Sequence, residues 1–564
     1  MEDILDEGIR KVPFSYFELP TDVSSEEYKN LLTSKIYELA CLLKSNSPLS
    51  VELLLPLELS SSSVSDFIIA LCKKFDVTCN VNARFAPKLL MYRDGKEDDS
   101  IILPLKIENL KLLNVESCAA SVSWDVPKYN GIKIDGYSVL LSASNDDVSS
   151  NTTETKFSFS KLASNTLYEV IIQACCGPYA GCRHPQFKFL TKPTENNYGK
   201  LYYWGKHNLL SDSPGTHCIK PTYYTYGKNV ICDVAIREDG LYAVGKGGSI
   251  LEHTISATEA CSINVLSLKH VKQISCGHTY TTALTYTGAV YTWGVSNSGA
   301  LGHGSANTVI TNPMQVDLKK EFALQISSSE LITIALTHSD TKNQIYVWGM
   351  LPEQINKPVV DTYTLTNKWY PTKISDSEIK GNPISVHASV SSYYIITKEQ
   401  QIIPSGIGHE GRLGLGNKFE ECMVLFPFLP IQFPLKEYKI LSFSCGNNHC
   451  LALLESLDKK PHLYGWGSNK CNKISCAATK IISEPIENVD CPPDAFEVQC
   501  GMMHSMILTK SGVYTYGYSG NGVLGTTSDE DGVISKPTLV KLLGNERIIK
   551  IKTDKCDSFA IASD

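Results

Sequence analysis

"SGIGHEGRLGLGNK", residues Ser405 to Lys418, decides how this chain is read. Gly406, Gly408 and Gly411 have the spacing of a dinucleotide-binding turn, which needs a strand before it and a helix after it. The stretch Tyr393 to Ile403 reads as the strand. On the helix side, Arg412-Leu413-Gly414-Leu415-Gly416 would put two further glycines into the first turn, where each is costly. A phosphate cradle is therefore a poor reading, and the useful question is whether the fragment recurs.

It does. "SNSGALGHGS" (Ser296 to Ser305) comes after "GAVYTWG", and "YSGNGVLGTTS" (Tyr518 to Ser528) comes after "GVYTYG". A companion motif lies upstream of the copies: Cys276-Gly277-His278, Cys445-Gly446 with His449, and Cys500-Gly501 with His504, each leading into small and apolar residues. The order is C-G-x-x-H, strand, turn, strand, W-G, turn, L-G. A strand-ending glycine falls at Trp204-Gly205, Val244-Gly245, Trp293-Gly294, Trp348-Gly349, Ser405-Gly406, Trp466-Gly467 and Tyr516-Gly517. Seven units spaced by roughly 40 to 61 residues have the length of four-stranded propeller blades. The segment from Tyr198 is then a β-propeller, with glycines serving as turn positions and points of close backbone approach. Its first unit, "GKLYYWG", lacks the upstream half, and Ile548 to Asp564 looks like that half without a W-G strand. One blade built from both ends would leave no free sheet edge.

These repeats resemble those of the regulator of chromosome condensation family, a seven-bladed β-propeller. The resemblance is uneven: the sixth unit lacks the L-G turn, and the second and fourth have lost most of the signature. It implies either a noncatalytic protein-binding scaffold or a guanine nucleotide exchange factor for a Ran-like small GTPase, and exchange requires no acid-base residues.

Upstream, "CAASVSWDVPKYNGIKIDGYSVLLSAS" and "FSFSKLASNTLYEVIIQACC" alternate with period two. Trp124 on an early strand and Tyr168 at a corner resemble a fibronectin type III sandwich, which implies a spacer or binding module. Residues 1–100 read differently. Ser24 and Glu27 form a capping box before a helical apolar pattern, and the segments from Ser50, Ser63, Val77 and Lys88 read as strand, helix, strand, strand. The expected architecture is mainly β: a small α/β domain over 1–100, a sandwich over 101–193, and the propeller over 198–564.

Composition narrows the function. A chain of 564 residues holds several domains, and 43% hydrophobic with 20% charged residues is ordinary for a globular protein. A net charge of −7 argues against nucleic acid as the main partner. The acidic start "MEDILDE" lacks the pattern of a signal peptide, and no apolar run reaches about 18 residues, so no membrane insertion is expected. The nineteen cysteines then suit a reducing compartment, cytoplasmic rather than nuclear, and the sequon at Asn151 reads as a polar loop.

The Cys/His pairs invite a metal or nucleophile reading. Each pair belongs to a different unit at the same point of the repeat, which favours a structural role with the imidazole bonded to nearby backbone. Cys471 with Cys476, and Cys175, Cys176 and Cys182, lack a second pair at zinc-finger spacing. Glu410 and Arg412 read as exposed turn residues. Catalytic, cofactor and metal residues are expected to be absent, and the partners to be other proteins, a small GTPase being the alternative. The segments Glu252 to Lys269 and Pro352 to Lys380 are expected to be irregular protrusions.

Overall fold

The computed structural model describes residues 107–563 with short breaks, and before them only the strands Arg10–Pro13, Leu49–Leu54, Thr78–Asn82, Lys88–Arg93 and Lys96–Glu97. Those five form one mixed sheet, with Leu49–Leu54 parallel to Thr78–Asn82 and antiparallel to Lys88–Arg93. The two helices expected from Ser24 and from Ser63 lie outside the described residues. The chain divides into two compact units, Met1–Phe189 and Leu190–Asp564.

Within the first unit, Lys156–Ser160, Ala119–Asp125 and Glu108–Val115 form a three-stranded antiparallel sheet. A second sheet joins Leu167–Cys176, Gly136–Ala143 and Asp146–Thr152. Alternate residues point inward: Ala120, Val122 and Trp124 from one sheet, Tyr137, Val139 and Leu141 from the other. Trp124 meets Tyr137 edge-on at 5.1 Å. The Tyr168 hydroxyl accepts the Ala163 N–H at 2.8 Å, a corner that ties the chain back on itself.

The second unit is a propeller whose described strands make seven blades, each four-stranded except blade 5, where Val359–Val360 adds a fifth strand against Met423–Val424. Blade 1 combines the last strands, Ile548–Asp554 and Asp557–Ser563, with Gly199–Gly205 and Cys218–Tyr223, and Gly199–Gly205 pairs antiparallel with Asp557–Ser563 along its whole length. Blades 2 to 7 begin with the innermost strands Ile231–Arg237, Val271–Cys276, Phe322–Ser328, Pro383–Ala388, Tyr438–Cys445 and Ala495–Cys500. Each of the seven innermost strands carries one register break near its start, such as Val271/Gln273 and Ile548/Lys550. Such bulges add local twist where strands crowd around an axis. Second strands are buried on both faces, as Tyr280–Thr285 and His504–Thr509 show, because neighbouring blades cover them.

Four sequence readings change. In blade 2, Val244-Gly245 ends the second strand, Gly240–Gly245, and starts a tight turn in which the Gly245 N–H donates to Ser249 O. The strand that matches the W-G strands is Ile250–Thr254, so this glycine lies one strand earlier than its counterparts. Glu252 to Lys269 contributes strand at its two ends, where Ile250–Thr254 pairs with Ile263–Leu266 as the outer half of blade 2, and residues 255–262 between them lie outside the described residues. Likewise Pro352 to Lys380 contains Leu365–Lys373, the outermost strand of blade 4. Tyr393 to Ile403 is two strands, Ser392–Thr397 and Ile402–Ile407, folded over a turn.

Candidate functional site

The glycine closing each third strand sits against the start of the second. Gly205, Gly294, Gly349, Gly406, Gly467 and Gly517 have φ between 100° and 134°, and a Cβ at any of them would lie 2.1–2.6 Å from a carbonyl of that neighbour. No L side chain fits there. This contact brings the turn between innermost and second strands, where the C-G-x-x-H residues lie, to one pole of the propeller.

At that turn the blades are stitched together. His449 Nε2 lies 3.0 Å from Ser505 Oγ in blade 7, and Ser505 donates to Lys473 O in blade 6 at 2.6 Å. His504 Nε2 lies 2.9 Å from Ser558 Oγ in blade 1, and Ser558 donates to Val523 O in blade 7 at 2.8 Å. Each serine gives its proton to a carbonyl, so each imidazole must donate from Nε2. Burial pushes His504 down to about 3 and His449 well below the usual imidazole range, so both stay neutral. The partner is thus a side chain of the next blade, not nearby backbone. Burial also pushes the Cys276 and Cys500 thiols up to about 12 and raises Cys445. Gly277, Gly446 and Gly501 leave no room for a Cβ beneath these turns.

His278 does not hold the histidine position that the repeat assigns to it. Tyr280, two residues on, fills that position in blade 3, with its hydroxyl 2.8 Å from Thr333 Oγ in blade 4, and Thr333 donates to Ala300 O in blade 3. His278 instead sits at the tip of the turn, 3.4 Å from Glu238, where Lys555 donates to its Nδ1.

The W-G and L-G halves also belong to different blades. Trp204 Nε1 donates to Val523 O at 2.9 Å, Trp348 Nε1 to Ala300 O at 2.8 Å, and Trp466 Nε1 to Arg412 O at 2.8 Å. Each acceptor precedes the L-G dipeptide of the preceding blade, and a Cβ on Gly414 would press on the Trp466 ring at 2.9 Å. Glu410 and Arg412, expected as exposed, are 8% and 5% exposed. The loop folds under the next blade to offer that carbonyl, and this draws both side chains in.

A central channel of 640 Å³ is lined by the innermost strands. Asp233 is the hub of its wall: Oδ1 lies 2.7 Å from Lys550 Nζ and 3.0 Å from Lys552 Nζ, and Oδ2 accepts the Ile274 N–H. Burial works to raise the Asp233 carboxyl, but the two lysines outweigh it and hold it down to about 2. Toward the pole the channel wall includes the turn tips Glu330, Val390, Asn447 and Lys555, while Glu238, His278 and Met502 line concavities beside it. Two smaller concavities, of 410 and 160 Å³, continue it on either side of Met502. Among the described residues no three His, Cys, Asp or Glu side chains converge as metal ligands, and no helix is long and apolar enough to cross a membrane.

The family model of the fibronectin type III domain matches residues 105–188. Models of the regulator of chromosome condensation (RCC1) repeat match residues 271–300, 287–336 and 406–453. The chain carries regulator of chromosome condensation repeats. The E3 ubiquitin-protein ligase HERC2 of Mus musculus is 30% identical over 270 residues, 46% of this chain and 5% of that protein. The mitochondrial RCC1 domain-containing protein RUG3 of Arabidopsis thaliana is 25% identical over 300 residues, 51% of this chain and 62% of that protein. The chain thus spans less than two thirds of either relative. Prp20p of Saccharomyces cerevisiae shares the fold, with a TM-score of 0.53 at 15% identity, over 65% of this chain and 93% of that one.

The matched RCC1 repeats lie in blades 3 to 6. The seam residues Ser505, Ser558, Tyr280 and Lys473 stand outside the repeat motif as the sequence shows it. One signal points to them: a hydroxyl comes directly after the histidine at Ser505, and Thr281 and Ser558 hold the matching position in other blades.

Proposed function

We propose that this chain is a noncatalytic protein-binding scaffold that uses the pole of its propeller, with the fibronectin type III domain as a second binding or spacing module. One observation carries the reading. The buried frame of the turns repeats as Cys-Gly with Tyr280, His449 or His504 in blades 3, 6 and 7, whereas the tips differ in every blade: Glu238, His278, Glu330, Val390, Asn447, Met502 and Lys555. Constant support under varied, surface-facing loop residues is how scaffolds present binding specificity. The histidines and cysteines beneath are held neutral and buried, which suits packing and not proton transfer.

The second reading is nucleotide exchange on a Ran-like small GTPase, which the RCC1 resemblance implies; Prp20p has been described for its binding properties to Gsp1p and histones. Exchange needs an element that favours the nucleotide-free GTPase. Over their described residues, the two long segments that could supply a wedge contribute outer strands, which favours the scaffold. In the test, catalytic amounts of the full chain are added to Ran loaded with fluorescent GDP. No acceleration is expected, and about tenfold acceleration would reverse the order of the two readings. A captured partner protein should be lost with Met502→Asp at the pole and kept with Leu457→Asp, on a turn at the far end of blade 6.

A further inference from the structure

The loops after the third strands of blades 5 and 6 each place a cation beneath the pole. Arg412 comes directly after the 3-10 turn His409–Gly411, and Lys473 directly after Lys470–Asn472. They are 5% and 1% exposed. Their main-chain carbonyls serve the seams between blades, but Val523 and Ala300 do the same in blades 7 and 3 with no charge. The stitching therefore leaves the cationic side chains unexplained.

Those side chains bond only to neutral groups. Arg412 Nε donates to His409 O at 2.9 Å, and Nη1 donates to Ser391 Oγ at 3.1 Å and Asn447 O at 3.2 Å. Lys473 Nζ donates to Met502 O at 3.0 Å and lies 3.7 Å from Met503 Sδ. No described residue accepts from Arg412 Nη2. The carboxylates lining the 410 Å³ concavity are already matched by more exposed lysines: Glu410 with Lys470 at 2.5 Å, Glu330 with Lys555 at 3.7 Å. Two buried cations remain in excess. A buried charge without a counter-charge is costly, and an anion arriving from outside would relieve it.

We propose that this concavity receives a side-chain carboxylate from an acidic peptide segment of a partner protein. Arg412 Nη2 and the remaining Lys473 proton offer two donors, which match the two oxygens of a carboxylate. Met502, 41% exposed, and Met503 give an adaptable apolar wall for the residue beside it. The assignment rests on the protein-binding reading above and names the chemistry of its partner.

The test uses the full chain and a short fluorescein-labelled peptide of glutamates around one leucine, read by fluorescence polarisation. Lys473→Met should weaken binding about tenfold or more. Glu410→Gln, which removes a competing negative charge from the concavity, should tighten it several-fold. Burial pushes the Lys473 ammonium down to about 8, so affinity should also fall as pH rises past that value. Failure of the wild-type chain to bind the peptide would overturn the proposal. So would equal affinity in Lys473→Met, or preference for a phosphoserine version of the peptide. If Lys473→Met lowers Tm sharply, the Glu410→Gln result decides alone: no tightening rejects the site. A partner captured through Met502 but indifferent to Lys473 and Glu410 would leave the scaffold reading standing and this site rejected.

Discussion

At the seam between blades 5 and 6, the Trp466 indole crosses to Arg412 O and the glycine of the L-G turn makes room for the ring. At the seam between blades 2 and 3, Trp293 is as deeply buried, but its Nε1 has no acceptor among the described residues. What holds blade 3 there lies near the axis: Asp233 of blade 2 accepts the Ile274 N–H while binding Lys550 and Lys552 of blade 1, and Lys552 also reaches Ile274 O at 3.3 Å. One seam is a neutral clasp at the outer radius, the other a charged hub at the inner radius. A repeat protein can thus lose its signature in one blade and keep the ring closed by a different interaction, at the cost of a new sensitivity to charge.

The largest effect should come from the hub. Asp233→Asn keeps an acceptor for Ile274 but strands two ammonium groups in the wall, for an expected loss of about 3–5 kcal/mol in urea unfolding at neutral pH. Because the Asp233 carboxyl is held at about 2, below its ordinary 3.8, its contribution is complete above 3.8 and drains away as pH falls through 2. That contribution amounts to about 2 kcal/mol. Identical acid midpoints for Asp233→Asn and the wild-type chain would dissolve the contrast between charged and neutral seams.

The next effect has the opposite sign. Glu497, in blade 7, is pushed up to about 7 by burial, against the pull of Lys550, Gln499 and the Ile551 backbone. A carboxyl raised above its ordinary 4.5 takes stability away as pH climbs from 4.5 to 7. Glu497→Gln should therefore stabilise the chain by about 1–3 kcal/mol near pH 8 and leave it unchanged near pH 4. A variant less stable than wild type at pH 8 would show that the hub needs this second carboxylate.

The smallest effect sharpens the neutral side. Trp466→Phe and Trp293→Phe remove similar volume, yet only the first breaks a hydrogen bond. Trp466→Phe should cost about 1 kcal/mol more by thermal or urea unfolding. Equal costs would mean that the clasp acts through packing alone.

Much of the fold is legible in the sequence because one physical demand repeats. A third strand can pass the second strand only with glycine at positive φ, and Gly294, Gly349, Gly406, Gly467 and Gly517 mark that place. Blade 2 misleads because Val244-Gly245 satisfies a tight turn, a different demand that leaves the same letter. His278 misleads because Tyr280 makes the same seam bond with another functional group. The burial of Glu410, Arg412 and Lys473 has no local signal at all. Glu410 is held by the Asn448 and Lys470 side chains of blade 6, while Arg412 and Lys473 reach the main-chain carbonyls of Asn447 and Met502 in the next blade, and composition says nothing about which partner a loop will meet.

The position of blade 1 sets an order of events during synthesis. Gly199–Gly205 emerges from the ribosome more than 340 residues before Asp557–Ser563, the strand it pairs with. Until then the growing propeller keeps an unpaired strand at each end, open to chaperones or to wrong partners. Lys550, Lys552 and Lys555, which complete the hub and the pole, arrive in the same late segment. Translation that stops early therefore yields a chain with neither a closed ring nor a finished pole. Partner binding through that surface would report that the whole propeller has been made.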